Sequence, residues 1–145
     1  MATTTFLGNA TINITQGATT YDLSDQANAC TITIGQDSLE ATAFGDTGHR
    51  FVGGLQSVEV SIDFFLSYGG SGATSEVETA LAAMVGQGTT TLTISPSGTT
   101  ESASNPEYII TNAMMENFTP INSTVGELAT VTASFTGGTW VRDIT

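Results

Sequence analysis

The sequence predicts a mainly β protein, a β-sandwich or barrel-like fold with one short flanking helix, and three observations carry that prediction. Apolar residues recur at every second position in several segments, threonine is abundant, and only one stretch shows helical spacing. Alternation is the signature of a strand with one buried face, and β-branched residues suit a pleated surface.

The elements follow in chain order. In 28–34, Cys30, Ile32 and Ile34 alternate with Thr31 and Thr33. From 58 to 66, Val58, Val60, Ile62, Phe64 and Leu66 point one way, and Glu59, Ser61, Asp63 and Phe65 the other. Residues 75–86 break the rhythm: Val77, Ala80, Leu81, Met84 and Val85 recur at helical spacing. Ser75 with Glu78 reads as a capping box, and Gly86 with Gly88 supplies the stop. The Gly69-Gly70-Ser71-Gly72 run before the helix reads as a flexible connection. Leu92 and Ile94 alternate with threonines, and Pro96-Ser97-Gly98 is a turn. Residues 108–118 form a strand whose faces are less cleanly divided, and Ala129, Val131, Ala133 and Phe135 close the series. Two connections exceed what hairpins need: a long loop over 36–54, and a second over 120–127. No repeat of 20 to 50 residues occurs, and 145 residues suit one domain spanning 1–145.

Composition narrows the function classes. Fourteen acids face two bases, Arg50 and Arg142, for a formal net charge of −12. Phosphate affinity comes from Lys and Arg that displace counterions, so a basic nucleic-acid binder is excluded. At 39% apolar residues the chain is not disordered by composition. Cys30 is the only cysteine, which excludes an intrachain disulfide and a cysteine-based zinc site. The start Met-Ala-Thr-Thr-Thr lacks the basic and apolar regions of a secretory signal, and no apolar run is long enough to span a bilayer as a helix, so we expect a soluble, cytoplasmically made chain with no membrane role. The Asn-x-Ser/Thr triplets at Asn9, Asn13, Asn117 and Asn122 then read as strand and turn chemistry.

Chemistry-bearing constellations are weak. His49 is the only histidine and lies in the Gly-rich 36–54 segment, without a Gly-x-Ser-x-Gly elbow elsewhere. Cys30 sits on the apolar side of its strand, as a small hydrophobe does. Glu59 and Asp63 are a carboxylate pair that reads more readily as a solvated strand face than as an acid and base acting on a sugar. Asp22 and Asp25 flank a turn, but the Asp-x-Asp-x-Asp-Gly calcium pattern is absent. The Gly-rich run at 69–72 has no following lysine and is no phosphate loop. We therefore expect no enzyme, no cofactor and no metal, which leaves self-assembly through strand edges and loops.

The stretch LEATAFGDTGHRFVGGLQSVEVSIDFFL, residues 39–66, resembles a segment of the tail tube proteins of long-tailed, siphovirus-type bacteriophages. There, an acidic-Thr-x-Phe-Gly-Asp pattern is followed by a Phe-x-x-Gly-Leu turn and an alternating strand. The helix starting Ser75-Glu76-Val77, the strand ending Ile94-Ser95-Pro96, the 108–118 stretch and the closing Phe135-Thr136-Gly137-Gly138-Thr139-Trp140 follow in the family's order. The resemblance implies a β-sandwich with a flanking helix, six copies of which close into a ring, with rings stacked into a tube for DNA passage. It implies a virion location in the tail, assembly in the host cytoplasm, and the tape measure, tail terminator and tail tip proteins as partners. Glu59 and Asp63 are then expected to face the lumen, ordinary outward exposure being the alternative. The 36–54 loop is expected to join successive rings through Phe44, Asp46, Arg50 and Phe51. A capsid decoration protein is the second reading, and a carbohydrate-binding domain, which calls for exposed aromatic platforms, the third.

Overall fold

A computed structural model describes residues 9–69 and 74–145. Within them the chain forms β1 (Thr11–Gln16), β2 (Thr19–Asp22), β3 (Ala27–Glu40), β4 (Phe51–Phe65), α1 (Val77–Met84), β5 (Thr90–Ser95), β6 (Glu107–Asn117), β7 (Thr130–Thr136) and β8 (Thr139–Asp143). The mainly antiparallel β architecture with one short helix is the one its alternating pattern predicts. The connection at 70–72 lies outside the described residues, as does the N-terminal start.

The strands make two sheets that share β6. Sheet A runs β2-β1-β5-β6-β8 and sheet B runs β6-β7-β4-β3, all pairs antiparallel. The sharing has a local cause. β7 and β8 lie on β6 in one continuous register, Thr136 opposite Met114 and Thr139 opposite Thr111. Both strands leave one sheet and enter the other at the same level. On β6 the corner is Asn112, with φ of 61°, and on its partner it is Gly137 and Gly138, with φ of 83° and 87°. Asparagine and glycine are the residues that tolerate this left-handed conformation. This bend explains why the faces of 108–118 are poorly divided in sequence: Ile110, Ala113 and Met115 are buried, at spacings that change across the corner.

The two sheets enclose one core. Ile12, Ile14, Leu92, Ile94 and Ile110 come from sheet A, and Val58, Val60, Ile62, Phe64, Val131, Ala133 and Phe135 from sheet B. Val77, Ala80, Leu81 and Met84 of α1 are fully buried, so the helix covers the core with its apolar stripe. Its start differs from the expected capping box: Glu76 is the N-cap residue and makes no side-chain cap. Ser67, at the end of β4, takes that role. Its Oγ accepts from Val77 N–H at 2.9 Å and its carbonyl accepts from Glu78 N–H at 3.0 Å. Gln26 bonds both the Ser67 hydroxyl and the Ser75 carbonyl, which ties the β2–β3 connection to the helix. Gly86, with φ of 79°, ends the helix as expected.

The long loop expected over 36–54 is corrected by the structure. Pairing continues from Gln36 opposite Gln56 to Glu40 opposite Phe51, through one bulge, and only residues 41–50 lie outside strands. Neither face of this extension is buried, so it lacks the alternation that marks a strand, and its glycines read as loop. The expected loop over 120–127 is irregular in the structure too.

Candidate functional site

Two surfaces carry the sequence-predicted residues, and the β3–β4 hairpin contributes to both. The last buried residue of β4 toward the turn is Val58. Beyond its partner Ile34, residues 35–40 carry the hairpin about 20 Å further at about 3.3 Å per residue. The result is an arm standing clear of the body, with Leu39, Phe51, Val52 and Leu55 exposed along it.

The tip of the arm is built rather than loose. Ala41 N–H donates to Arg50 O at 2.8 Å, Arg50 N–H to Thr42 Oγ1 at 3.0 Å, and Ala43 N–H to Asp46 Oδ2 at 2.8 Å. Asp46 N–H returns to Ala43 O at 3.1 Å. His49 Nδ1 lies 2.5 Å from Glu40 Oε1, and this contact, with a further bond from Thr42, holds the Glu40 carboxyl below its ordinary range. The His49 ring stands 6.3 Å from that of Phe51. Phe44 projects fully into solvent at the apex. Arg50 reaches Asp46 only at 4.0 Å, and its guanidinium makes no other side-chain contact of this kind among the described residues. Of the four residues expected to make inter-ring contacts, Phe44, Asp46 and Arg50 therefore share the tip, and Phe51 stands at its base.

The second surface is the outward face of sheet B. On β4 it presents Ser57, Glu59, Ser61 and Asp63. Their cross-strand neighbours are Gly35, Thr33, Thr31 and Ala29 on β3, and Thr136, Ser134 and Thr132 on β7. Glu116 of β6 joins the same shallow depression, lined by Thr31, Thr33, Glu59, Ser61 and Ser134. Glu59 is exposed, whereas Asp63 is half-buried and accepts a 2.6 Å bond from Thr132 Oγ1. The chain's two arginines are elsewhere: Arg50 is at the arm tip, and Arg142, on β8, donates to Ala103 O at 3.3 Å. Among the described residues the face is thus a lawn of hydroxyls carrying three carboxylates and no cation. Sheet B also ends in two open edges among the described residues: β3 pairs only with β4, and β6 from Met114 to Asn117 pairs only with β7.

The remaining sequence candidates have structural roles. Cys30 faces the core side, and burial pushes its thiol up to about 11, away from nucleophile chemistry. Asp22 accepts from Ser24 N–H at 3.2 Å and Ser24 Oγ at 2.7 Å, an Asx-type turn that uses the carboxylate locally. Among the described residues no group of three or more metal-ligating side chains assembles. Sequence reasoning missed Asn105, which is buried in the 96–106 connection. Its Oδ1 accepts from Ser97 N–H at 3.1 Å, and its Nδ2 donates to Thr99 O at 2.9 Å. That reasoning named Trp140 only within the closing motif and gave it no contact; its Nε1 donates to Gln56 Oε1 at 3.0 Å, fastening β8 to the root of the arm.

No protein-family model matches the sequence, and no curated protein matches it significantly. Solved structures do. One similar chain comes from the sheath–tube complex of an extracellular contractile injection system, PVC, in its extended state. The two share 12% identity at a TM-score of 0.64, over 96% of this chain and 90% of that one. Another comes from the virion of a native gene transfer agent particle, at 10% identity and a TM-score of 0.62, over 97% and 99% of the two chains. A third comes from the tube-terminating cap of the anti-feeding prophage, at 12% identity and 0.61, over 100% and 95%. The likeness is one of fold, and it spans essentially the whole chain: this is a tail-tube-like fold.

Proposed function

We propose that the chain is a structural subunit of a phage-type tail tube, in which six copies close into a ring and rings stack around a central bore. The observation that carries the reading is sheet B: four antiparallel strands, open at both edges among the described residues, with a polar acidic face turned away from the core. Strand direction alternates across the sheet, so β3 of one copy meets the Met114–Asn117 edge of the next in antiparallel sense. Closure removes both edges, which in an isolated subunit are an aggregation hazard.

The size of the ring follows from spacing. Six copies of four strands give a barrel of about 24 strands; at about 4.8 Å between strands and a tilt of about 40°, its backbone diameter is roughly 50 Å. A barrel of that width keeps an open channel, since barrels of about 16 to 18 strands already do. Turned inward, the outward face of sheet B lines the bore with serine, threonine, Glu59, Asp63 and Glu116. Six copies at −12 each give −72 per ring. Carboxylates repel phosphate within a Debye length of about 8 Å at physiological salt, so DNA slides rather than sticks. The role is structural and involves no catalysis.

We place this tube in the virion tail of a long-tailed phage, assembled in the host cytoplasm, with tape measure, tail terminator and tail tip proteins as partners and genomic DNA in transit. The sequence resemblance supports the sheathless, siphovirus-type setting; a chain of similar fold sits in a sheath–tube complex, so a contractile particle is the competing setting within the same reading. Negative-stain microscopy and sedimentation of the purified chain test the proposal. Tubes of uniform width with an open bore are the expected product. A species that remains monomeric at every concentration, or that binds only capsids, overturns it in favour of a decoration protein.

A further inference from the structure

The exposed large apolar side chains are not scattered. Of fifteen among the described residues, five (Leu39, Phe44, Phe51, Val52 and Leu55) lie on the arm and Ile34 at its root. Five more (Phe65, Tyr68, Ile121, Val125 and Leu128) lie at the opposite end of sheet B. β4 runs from one group to the other, starting at Phe51 and ending at Phe65. Phe65 is opposite Thr130, where the 118–129 connection rejoins the sheet, and Leu66 N–H donates to Ala129 O at 2.8 Å. One end of the subunit therefore projects an apolar arm, and the other displays an apolar loop. Two exposed patches of this kind on a small chain mark contact surfaces.

The loop is ordered for contact before anything touches it. Tyr68 OH donates to Pro120 O at 2.7 Å, Asn122 Nδ2 to Thr130 O at 2.7 Å, and Glu127 N–H to Thr124 O at 3.1 Å. These bonds fix the backbone while Val125 is left fully exposed, with Ile121 at 76% and Leu128 at 79%. A loop held this way loses little freedom on binding. The arm is net acidic, with Asp37, Glu40 and Asp46 against Arg50, so charge can favour the contact only at one local pair. Arg50 is the arm's only cation, loosely engaged with Asp46, and the loop carries Glu127, exposed and acidic, with no Lys or Arg in it.

We infer that the arm of one copy docks on the 118–129 loop of a second copy in the adjacent ring. Phe44 inserts among Ile121, Val125 and Leu128, and Arg50 lies beside Glu127. This rests on the tube reading and names the receiving surface that the reading leaves open. A contact between different patches at opposite poles of one subunit does not close on itself, and repeats into a filament. It makes ring stacking polar, with arms leading at one end of the tube and bare loops at the other.

The test is a charge exchange in the full chain, read by sedimentation and electron microscopy. Arg50→Glu and Glu127→Arg are each expected to raise the concentration needed for tube formation at least about tenfold, by placing like charges together. The double variant is expected to recover most of that loss. Far-UV circular dichroism checks that each variant is folded; both sites are exposed. Should either single variant assemble as the unaltered chain does, or the double variant stay as defective as the singles, the docking is wrong while the tube reading stands. If the unaltered chain builds no tubes, the tube reading itself falls. A second measurement uses Phe44→Cys with Val125→Cys on a Cys30→Ala background. Oxidation of assembled protein should give a ladder of linked chains on a non-reducing gel. Dimers from Phe44→Cys alone mean tip-to-tip contact and overturn the inference.

Discussion

Gly138 stands at the corner where the β7–β8 strand crosses between the sheets, and replacing it by alanine separates two costs that sequence alone cannot distinguish. Gly137 beside it has nearly the same backbone, φ of 83° against 87°, but different surroundings. A Cβ on Gly137 meets nothing within 4 Å, whereas one on Gly138 comes well inside contact distance of Thr111 O and 3.0 Å from Asn112 C. For both, the left-handed conformation costs alanine about 1–2 kcal/mol. Gly138→Ala adds the displacement of β6 backbone at its own corner, an overpacking cost of about 1–3 kcal/mol. The expected losses are about 1–2 kcal/mol for Gly137→Ala and about 2–5 kcal/mol for Gly138→Ala. At about 3 °C per kcal/mol these are drops in melting temperature of about 3–6 °C and about 6–15 °C. Thermal unfolding followed by circular dichroism measures both. Because the corner sets how sheet B is presented to its neighbours, Gly138→Ala should also assemble poorly below its melting temperature. Equal drops for the two variants would refute the reasoning, since the close approach to Thr111 would then carry no cost.

Three other outcomes are expected. Converting Glu59 and Asp63 to lysine should leave tubes that assemble but pass DNA slowly or not at all; unchanged infectivity of virions built from the variant counts against the lumen assignment. Asn105→Ala strands the buried Ser97 N–H and should cost about 2–3 kcal/mol in urea unfolding, against less than about 0.5 kcal/mol for an exposed control such as Ser104→Ala. Glu107 is held above its ordinary range first by desolvation and then by Glu101 and Asp143. An acid raised on folding binds its proton more tightly in the native state, so stability falls as pH rises from the unfolded value, about 4.3, through the higher folded one, and is level beyond it. Glu107→Gln should therefore raise the melting temperature at pH 7 and leave it unchanged near pH 3, whereas a gain of equal size at both values excludes the charge effect.

How much of this was legible in the sequence depends on what each segment buries. Val58 to Phe64 and Val131 to Phe135 each bury one face completely, and their alternation predicts β7 and the C-terminal half of β4 within one residue, but not the seven residues with which β4 begins. The helix announces itself because Val77, Ala80, Leu81 and Met84 all meet the core. The arm did not, because residues 35–40 and 51–57 bury neither face and are held mainly by the backbone ladder. The first hairpin was legible in principle: Ile12 and Ile14 alternate with polar residues, and Gly17, with φ of 63°, makes the turn to β2. Six- and four-residue strands are short enough for that signal to pass unread. Ser67 as the helix cap is a contact across 10 residues, invisible to any local capping pattern.

The expected site residues divide in the same way. Phe44, Asp46 and Arg50 were legible as a group because apolar and charged residues among glycines have no use in a core, and they do meet at the arm tip. Glu59 and Asp63 share the polar side of β4 as the alternation requires, but which way that side faces in an assembly depends on other copies of the chain. The acidic character of the face was only partly visible, since Glu116 arrives from β6 after the corner at Asn112.

The most direct test is a reconstruction of the assembled chain at a resolution that traces the main chain along the β3 edge. The account predicts that β3 of each copy hydrogen-bonds to the Met114–Asn117 edge of its neighbour, closing a barrel of sixfold symmetry with Glu59 and Asp63 on its inner wall. A bore lined instead by sheet A, or β3 edges left open to solvent between copies, contradicts it.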